Sequence, residues 1–293
     1  MRYGVKPRSA VKPKSVPKPL PVVKRSPEPM RVVRVHEITS EENPSFREWK
    51  QLTLPRGIRK QGRALLSGYK IVEEAWQTFP EHVEVLILGG TRMSAPDNFP
   101  EAMRVVRLPA PLFQELDTIG TRAPLLVLRV PDLSPWTPND GLPSGLSLFL
   151  PFQDPENLGA AIRSGLAFGA SRIVLLREAA HPFHPKTLRA SGGAVLRARL
   201  SSGPALAELP LDLPFVPLSL EGKDLSQATL QANCALLPGI EGPGLPGGWR
   251  SRSIRIPIRP DVESLNAATA LSIVLYEWSR QRDAINPKEK RGA

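Results

Sequence analysis

The chain has 293 residues, 41% of them hydrophobic, with 33 Pro, 22 Gly and one Cys. At roughly 100–200 residues per domain, that length suits two domains. Cys234 alone excludes a disulfide framework and a Cys-rich zinc site, no apolar run approaches the ~18 residues of a membrane span, and the N-terminus lacks the ~7–15-residue apolar stretch of a secretory signal, so a soluble cytoplasmic protein is expected.

The net charge of +11 sits at the ends. Residues 1–34 hold ten Lys/Arg against Glu28 alone, with seven prolines. Such a segment buries too little apolar surface to fold by itself, so 1–34 is expected to be a disordered basic arm that attracts a polyanion without sequence specificity. Residues 283–293 form a second basic tail, and the body between is close to neutral.

Residues 35–130 read as a small α/β unit. After a mixed polar lead-in over 35–55, Leu65, Leu66, Tyr69, Val72 and Trp76 recur at helical spacing and predict a helix over Gly62–Gln77. Val83–Leu88, Met103–Leu108 and Leu125–Val130 read as strands, and Leu112–Leu116 as a short helix. Residues 131–145 are packed with turn formers and read as a linker. From 146 to 282 the pattern changes. Leu146–Leu150 is a continuous apolar run, typical of a strand buried on both faces of a parallel sheet. Asn157–Phe168 predicts a helix. Ile173–Leu176, Phe215–Leu220, Asn233–Leu237 and Ser253–Ile258 predict further strands. Ser264–Arg282 predicts the longest helix, with Leu265, Ala268, Leu271, Leu275 and Trp278 as its stripe and Ile273, Val274 and Tyr276 outside it. Strands alternating with helices imply an α/β fold with a mostly parallel sheet.

Four segments carry candidate chemistry. Phe152–Arg163 lies between a buried strand and a helix, where open α/β sheets bind ligands. Asp154 suits an N-cap, Pro155 suits the first turn, Gly159 permits close backbone approach, and Arg163 near a helix start suits an anion such as an RNA phosphate. Pro185–Ala194 contains Ser191-Gly192-Gly193, flanked by Lys186 and Arg189. Leu237–Leu245 sets Glu241 among glycines just past an apolar strand. Ile256-Pro257 and Asp261–Asn266 precede the last helix, with Ser264 as its expected N-cap. Each also has a structural reading as cap, turn or core. Gly242-x-Gly244-x-x-Gly247 formally matches a dinucleotide fingerprint, but Pro243, Pro246 and the lack of a following amphipathic helix count against it. His181 and His184 are separated by a proline and have no Cys nearby, so a metal is not expected. Cys234 reads as a small core residue.

In this order the segments closely resemble the SpoU-type RNA ribose 2′-O-methyltransferases of the SPOUT superfamily. The first motif resembles Asp154-Pro-Glu-Asn157-Leu-Gly159-Ala-Ala-Ile-Arg163. The second resembles Arg189-Ala-Ser191-Gly-Gly-Ala194. The third resembles Gly239-Ile-Glu241-Gly-Pro-Gly244, continued by Ile256-Pro257 and Ser264-Leu265-Asn266. Gly68-Tyr-Lys-Ile-Val-Glu-Glu-Ala more loosely resembles part of the substrate-binding domain that precedes the catalytic domain in many members. The resemblance implies a SPOUT-type trefoil-knotted domain over 146–282, a homodimer with a shared active site, RNA (rRNA or tRNA) as partner and S-adenosylmethionine as methyl donor. It implies cofactor contacts from Gly239, Ile256 and Leu265, an acceptor side lined by Arg163, Glu241, Ser264 and Asn266, and Asn157 holding the first loop. Ile240 stands where the family is often polar, and Ala267-Ala268 where it commonly has Val-Ser. A non-catalytic RNA-binding or ribosome-assembly protein on the same fold is the alternative. Asn157, Arg163, Glu241 and Asn266 favour an active enzyme, because a dead one is free to lose them.

Overall fold

The computed structural model describes residues 34–96, 99–100 and 103–285, with side chains to residue 282. The arm and most of the tail lie outside these residues. The described residues form one compact unit.

The first half is built from β1 (Val35–Glu37), α1 (Pro44–Gln51), α2 (Pro55–Gln61), β2 (Arg63–Ser67), α3 (Tyr69–Thr78), β3 (Val83–Gly89), β4 (Arg104–Leu108), α4 (Ala110–Leu116) and β5 (Leu125–Arg129). They form a five-stranded sheet in the order β1-β4-β3-β5-β2. The single helix expected over 62–77 is instead a strand followed by a helix. Leu65 and Leu66 are both buried on β2, which pairs antiparallel with β5 from Arg63↔Arg129 to Ser67↔Leu125. Gly68, at φ +107°, breaks the chain between them. The apparent helical spacing came from adding strand residues to a true helix stripe of Ile71, Val72, Ala75 and Trp76. The polar lead-in also contains α1, capped by the Asn43 side chain on Ser45 N and Phe46 N, with Phe46 and Trp49 buried. Two apolar residues in eight are too few for a periodic signal.

The second half comprises β6 (Ser134–Pro135), β7 (Leu146–Leu150), α5 (Pro155–Ala167), β8 (Arg172–Leu175), α6 (Pro185–Ala190), α7 (Ala194–Arg197), β9 (Leu200–Ser202), β10 (Phe215–Asp224), β11 (Cys234–Pro238), α8 (Gly247–Arg250), β12 (Ile254–Arg255) and α9 (Ala267–Ile285). Seven strands run β12-β10-β11-β7-β8-β9-β6, and every pair is parallel. β7 and β11 lie centrally and are buried at all five positions. That is the burial expected of a sheet covered on both faces. Within 131–145, Ser134 and Pro135 pair with β9, and the buried Trp136 meets Phe149 edge-on at 4.7 Å. Phe149, Phe215 and Trp249 continue this edge-to-face stack. Each such pair adds about 0.5–1.5 kcal/mol beyond its area, and together they hold α8 against β10.

Two features position the later chemistry. α5 packs closely on α6, because a Cβ at Gly159 would lie 2.5 Å from the Thr187 carbonyl oxygen and 2.7 Å from Ala190 Cβ. Only glycine lets the first and second motif segments approach this far. At the other edge, Leu218 and Lys223 of β10 both register with Ile254. The residues between them bulge from the ladder, which extends β10 to Asp224 rather than ending it at Leu220.

Candidate active site

Asp154 caps α5 with its side chain, accepting from Glu156 N and Asn157 N at 2.8 Å each. Pro155 occupies the first turn. The cap and the proline together fix the first turn of α5.

The loop after β11 closes on itself. Ile240 N donates to Gly244 O at 3.1 Å, and Gly244 N donates to Ile240 O at 2.8 Å. A Cβ at Gly239 would lie 2.6 Å from the Gly244 carbonyl carbon, while Gly242 and Gly244 hold φ +85° and +71°. The apparent dinucleotide fingerprint is thus this tight turn. Ile240 packs against the cluster containing Leu245 and Trp249, so an apolar residue here anchors the turn from below.

From the tip of the turn, Glu241 reaches back over the first loop. Its Oε2 accepts from Gln153 N at 2.9 Å, and its Oε1 accepts from Asp154 N at 3.4 Å and Asn157 Nδ2 at 3.3 Å. Asn157 Oδ1 accepts from Asn266 Nδ2 at 2.7 Å, and Asn266 Oδ1 accepts from Thr269 N at 3.1 Å. One chain of hydrogen bonds thus joins three segments that are far apart in sequence. It also reassigns a cap: α9 starts at Ala267 and is capped by Asn266, whereas Ser264 lies exposed in the preceding loop. Asn266 wins because its amide serves Thr269 N and Asn157 at once.

Above this chain lies a cleft of about 520 Å³ at the carboxyl ends of β10 and β11. Gly239, Ile256 and Leu265 line it together with Asn157, Glu241, Ser264 and Asn266. Sequence reasoning missed the opposite wall, where the β10 bulge contributes Leu218, Ser219, Leu220 and Glu221. Glu221 is held by Arg250 Nη1 at 2.9 Å. No local motif announces these residues, because a bulge depends on the partner strand.

Arg163 stands apart from the cleft lining. It is exposed on α5, and its Nη1 would lie 3.5 Å from a Cβ at Gly192. Gly192 and Gly193 hold φ +57° and +84°, so the Ser-Gly-Gly turn offers a flat backbone surface to the guanidinium. Arg163 has no ion pair or hydrogen bond among the described residues.

The histidines are occupied locally. His181 Nδ1 accepts from Phe183 N and His184 Nδ1 from Lys186 N, the latter capping α6. Burial, then Arg59 and His184, push the His181 pKa down to about 4. No group of three His, Cys, Asp or Glu among the described residues is arranged for a metal. Cys234 is buried and its thiol is pushed up to about 12 by that burial, so it stays protonated. No helix among the described residues is long and apolar enough to cross a membrane.

A cleft at the carboxyl ends of parallel strands, walled by glycine-bearing loops, is the place where open α/β folds carry their ligand sites. The model of the SpoU rRNA Methylase family matches residues 148–276, so this part of the chain carries a SpoU methylase domain. A Syntrophobacter fumaroxidans protein named ribosomal RNA small subunit methyltransferase G 2 is 53% identical over 244 residues, covering 83% of this chain and 49% of the relative. The chain thus spans about half of that relative's length. The 23S rRNA (guanosine(2553)-2′-O)-methyltransferase RlmP of Bacillus subtilis is 27% identical over 252 residues, covering 82% of this chain and 98% of the relative. The AdoMet-bound rRNA methyltransferase from Sinorhizobium meliloti superposes with a TM-score of 0.67 at 24% identity, over 84% of this chain and 98% of that one, and shares the fold.

Proposed function

We propose that the protein is an S-adenosylmethionine-dependent methyltransferase acting on a ribose 2′-hydroxyl of RNA. The observation that carries this reading is the convergence of the first and third motif segments on one cleft, with an unpaired arginine resting on the glycine turn of the second. The name of the Bacillus subtilis relative supports ribosomal RNA as the substrate class, and a cytoplasmic location goes with that substrate. Residues 35–130 would hold RNA and residues 146–282 would carry methyl transfer.

The residues present fit the cofactor. The cleft has the size of a nucleoside site, apolar walls from Leu218, Ile256 and Leu265, and turn backbone from Gly239 to Leu245. When bound there, S-adenosylmethionine supplies a methyl group already activated by its sulfonium. The protein's task is then mainly to bring acceptor oxygen and donor carbon into line. Arg163 suits that task by holding an RNA phosphate and polarising the hydroxyl. It does not suit proton removal, because a guanidinium stays charged in proteins. Both Glu241 oxygens already accept N–H groups, so an RNA phosphate or solvent is the better proton acceptor.

Calorimetric titration with S-adenosylmethionine, together with ribose-methylation mapping of RNA from a deletion strain, tests the reading. Binding at micromolar cofactor and loss of one 2′-O-methyl group are expected. A chain that binds no cofactor is instead the non-catalytic RNA-binding protein.

The trefoil knot and the homodimer belong to the same proposal. Val274 lies in the core, but Ile273 and Tyr276 stand 37% and 59% exposed on α9, with Val262 45% exposed in the loop before it. A neighbouring set of this kind suits a second copy. Light scattering at micromolar concentration is expected to give a dimer, and Tyr276→Glu a monomer with impaired methyl transfer. A monomeric wild type would remove the shared active site from the mechanism.

A further inference from the structure

Tyr69 is 62% exposed, whereas Ile71 and Val72 beside it are buried. A single exposed aromatic is ordinary; its neighbours make this one informative. Arg189 Nη1 would lie 3.4 Å from a Cβ at Gly68, the residue just before Tyr69. Gly192 N donates to Arg189 O at 3.0 Å, and Gly192 is the residue on which Arg163 rests. Gly193 completes the contact, because its missing Cβ would touch Ile71 Cγ2 at 3.4 Å. Tyr69, Arg189, the Gly-Gly turn and Arg163 therefore form one continuous strip, in which the first sheet's α3 meets the second motif.

The strip's charge is uncompensated. Arg189, Arg163 and Lys70 are exposed, and their side chains have no ion pair or hydrogen bond among the described residues. Glu74, whose Oε2 would lie 3.8 Å from a Cβ at Gly193, is paired with Arg197, and Glu156 is paired with Lys186. An exposed aromatic side chain directly after the glycine that an unpaired guanidinium approaches matches the chemistry of an unpaired nucleotide, in which the base stacks and a flanking phosphate meets an arginine. A base inside a duplex has no free face to offer.

Resting on the methyltransferase reading above, we propose that Tyr69 is a stacking platform for an unpaired nucleobase next to the acceptor ribose, with Arg189 holding an adjoining phosphate. Tyr69 is then a positioning residue. It selects RNA whose target lies in a loop or bulge, and it sets the register in which the 2′-hydroxyl reaches Arg163.

The test uses the full chain and a mixed-sequence RNA of about 12 nucleotides, within the range of single-strand site sizes, as single strand and as blunt duplex. Base–aromatic stacking of roughly 1–3 kcal/mol corresponds to about 5- to 150-fold in affinity. Tyr69→Ala is expected to lose that factor for the single strand with an unchanged salt slope, and to leave duplex binding as it was. Tyr69→Phe retains binding. Arg189→Ala lowers the log–log salt slope by about one phosphate's worth. In Tyr69→Trp, saturating single strand quenches the indole emission. An alanine variant that binds single strand like wild type, an equal loss for duplex, or unquenched emission in Tyr69→Trp each overturns the proposal. S-adenosylmethionine titration of each variant verifies the fold. If wild type methylates no ribose while the Tyr69→Ala loss persists, the methyltransferase reading fails and the stacking site stands. If wild type methylates ribose and Tyr69→Ala matches it throughout, the stacking site alone fails.

Discussion

Arg163→Ala is expected to slow single-turnover methyl transfer by at least about 10²-fold, the low end for losing one preorganised catalytic group, and to leave cofactor affinity unchanged. The split follows from position. Arg163 is not part of the cleft lining, so removing it takes nothing from the cofactor. Its guanidinium rests on the Gly192 backbone instead, and no carboxylate holds it there. This side chain is exposed and lacks a structural partner, so its loss should cost little stability, and a fall in rate reports on chemistry. Arg163→Lys should not rescue the rate, because an ammonium cannot reproduce the planar fork that holds a phosphate in a fixed direction. Single-turnover rates measured beside a cofactor titration decide the matter. A near-normal rate in the alanine variant, or a loss explained wholly by weaker cofactor binding, would remove Arg163 from the mechanism.

What was legible in the sequence was whatever is written locally. The run Leu146–Leu150 is apolar at every position and is buried at every position, because a central parallel strand has no solvent face. Asp154-Pro155 reads as a cap and first turn, and both roles hold, since capping uses donors only two and three residues away. Ala268, Leu271, Leu275 and Trp278 of the α9 stripe were visible for the same reason, whereas Leu265 lies in the loop before the helix and Val274, expected outside the stripe, is buried. What failed depended on distant partners. β2 looked helical because Leu65 and Leu66 fit a stripe continued by α3, and only pairing with β5 makes them a strand. Ser264 looked like the cap of α9 because serine is a common cap, whereas Asn266 gains its advantage from Asn157, 109 residues earlier. The cleft wall at Ser219–Glu221 exists because β10 shifts register against β12. The Glu241 contacts were hidden likewise. Its neighbours in sequence are glycine, proline and isoleucine, while its partners lie 84 to 88 residues away.

Those contacts make Glu241→Gln the sharpest test of what the carboxylate does. The chain from Glu241 through Asn157 and Asn266 to Thr269 has a defined direction. A carboxylate only accepts, so Asn157 must present Nδ2 to it; Asn157 then accepts through Oδ1, Asn266 donates through Nδ2 and keeps Oδ1 for Thr269 N. Glutamine in place of Glu241 keeps one acceptor and turns the other into a donor, facing either Gln153 N or the pair Asp154 N and Asn157 Nδ2. A hydrogen bond to a charged group is worth about 1.5–3 kcal/mol, and an unmet donor adds its own penalty. The three loops that wall the cleft should then lose their tether, and cofactor affinity is expected to fall by about 10- to 100-fold. At saturating cofactor the single-turnover rate should return most of the way to wild type. Asn266→Ala should give the same split more weakly, because it cuts the chain one link further on. A proton acceptor would behave in the opposite way: the rate at saturating cofactor would drop by about 10²–10⁴ with affinity untouched. Cofactor titrations and saturated rates on the Glu241→Gln protein separate these outcomes, and the second pattern would move Glu241 from the loop tether into the reaction itself.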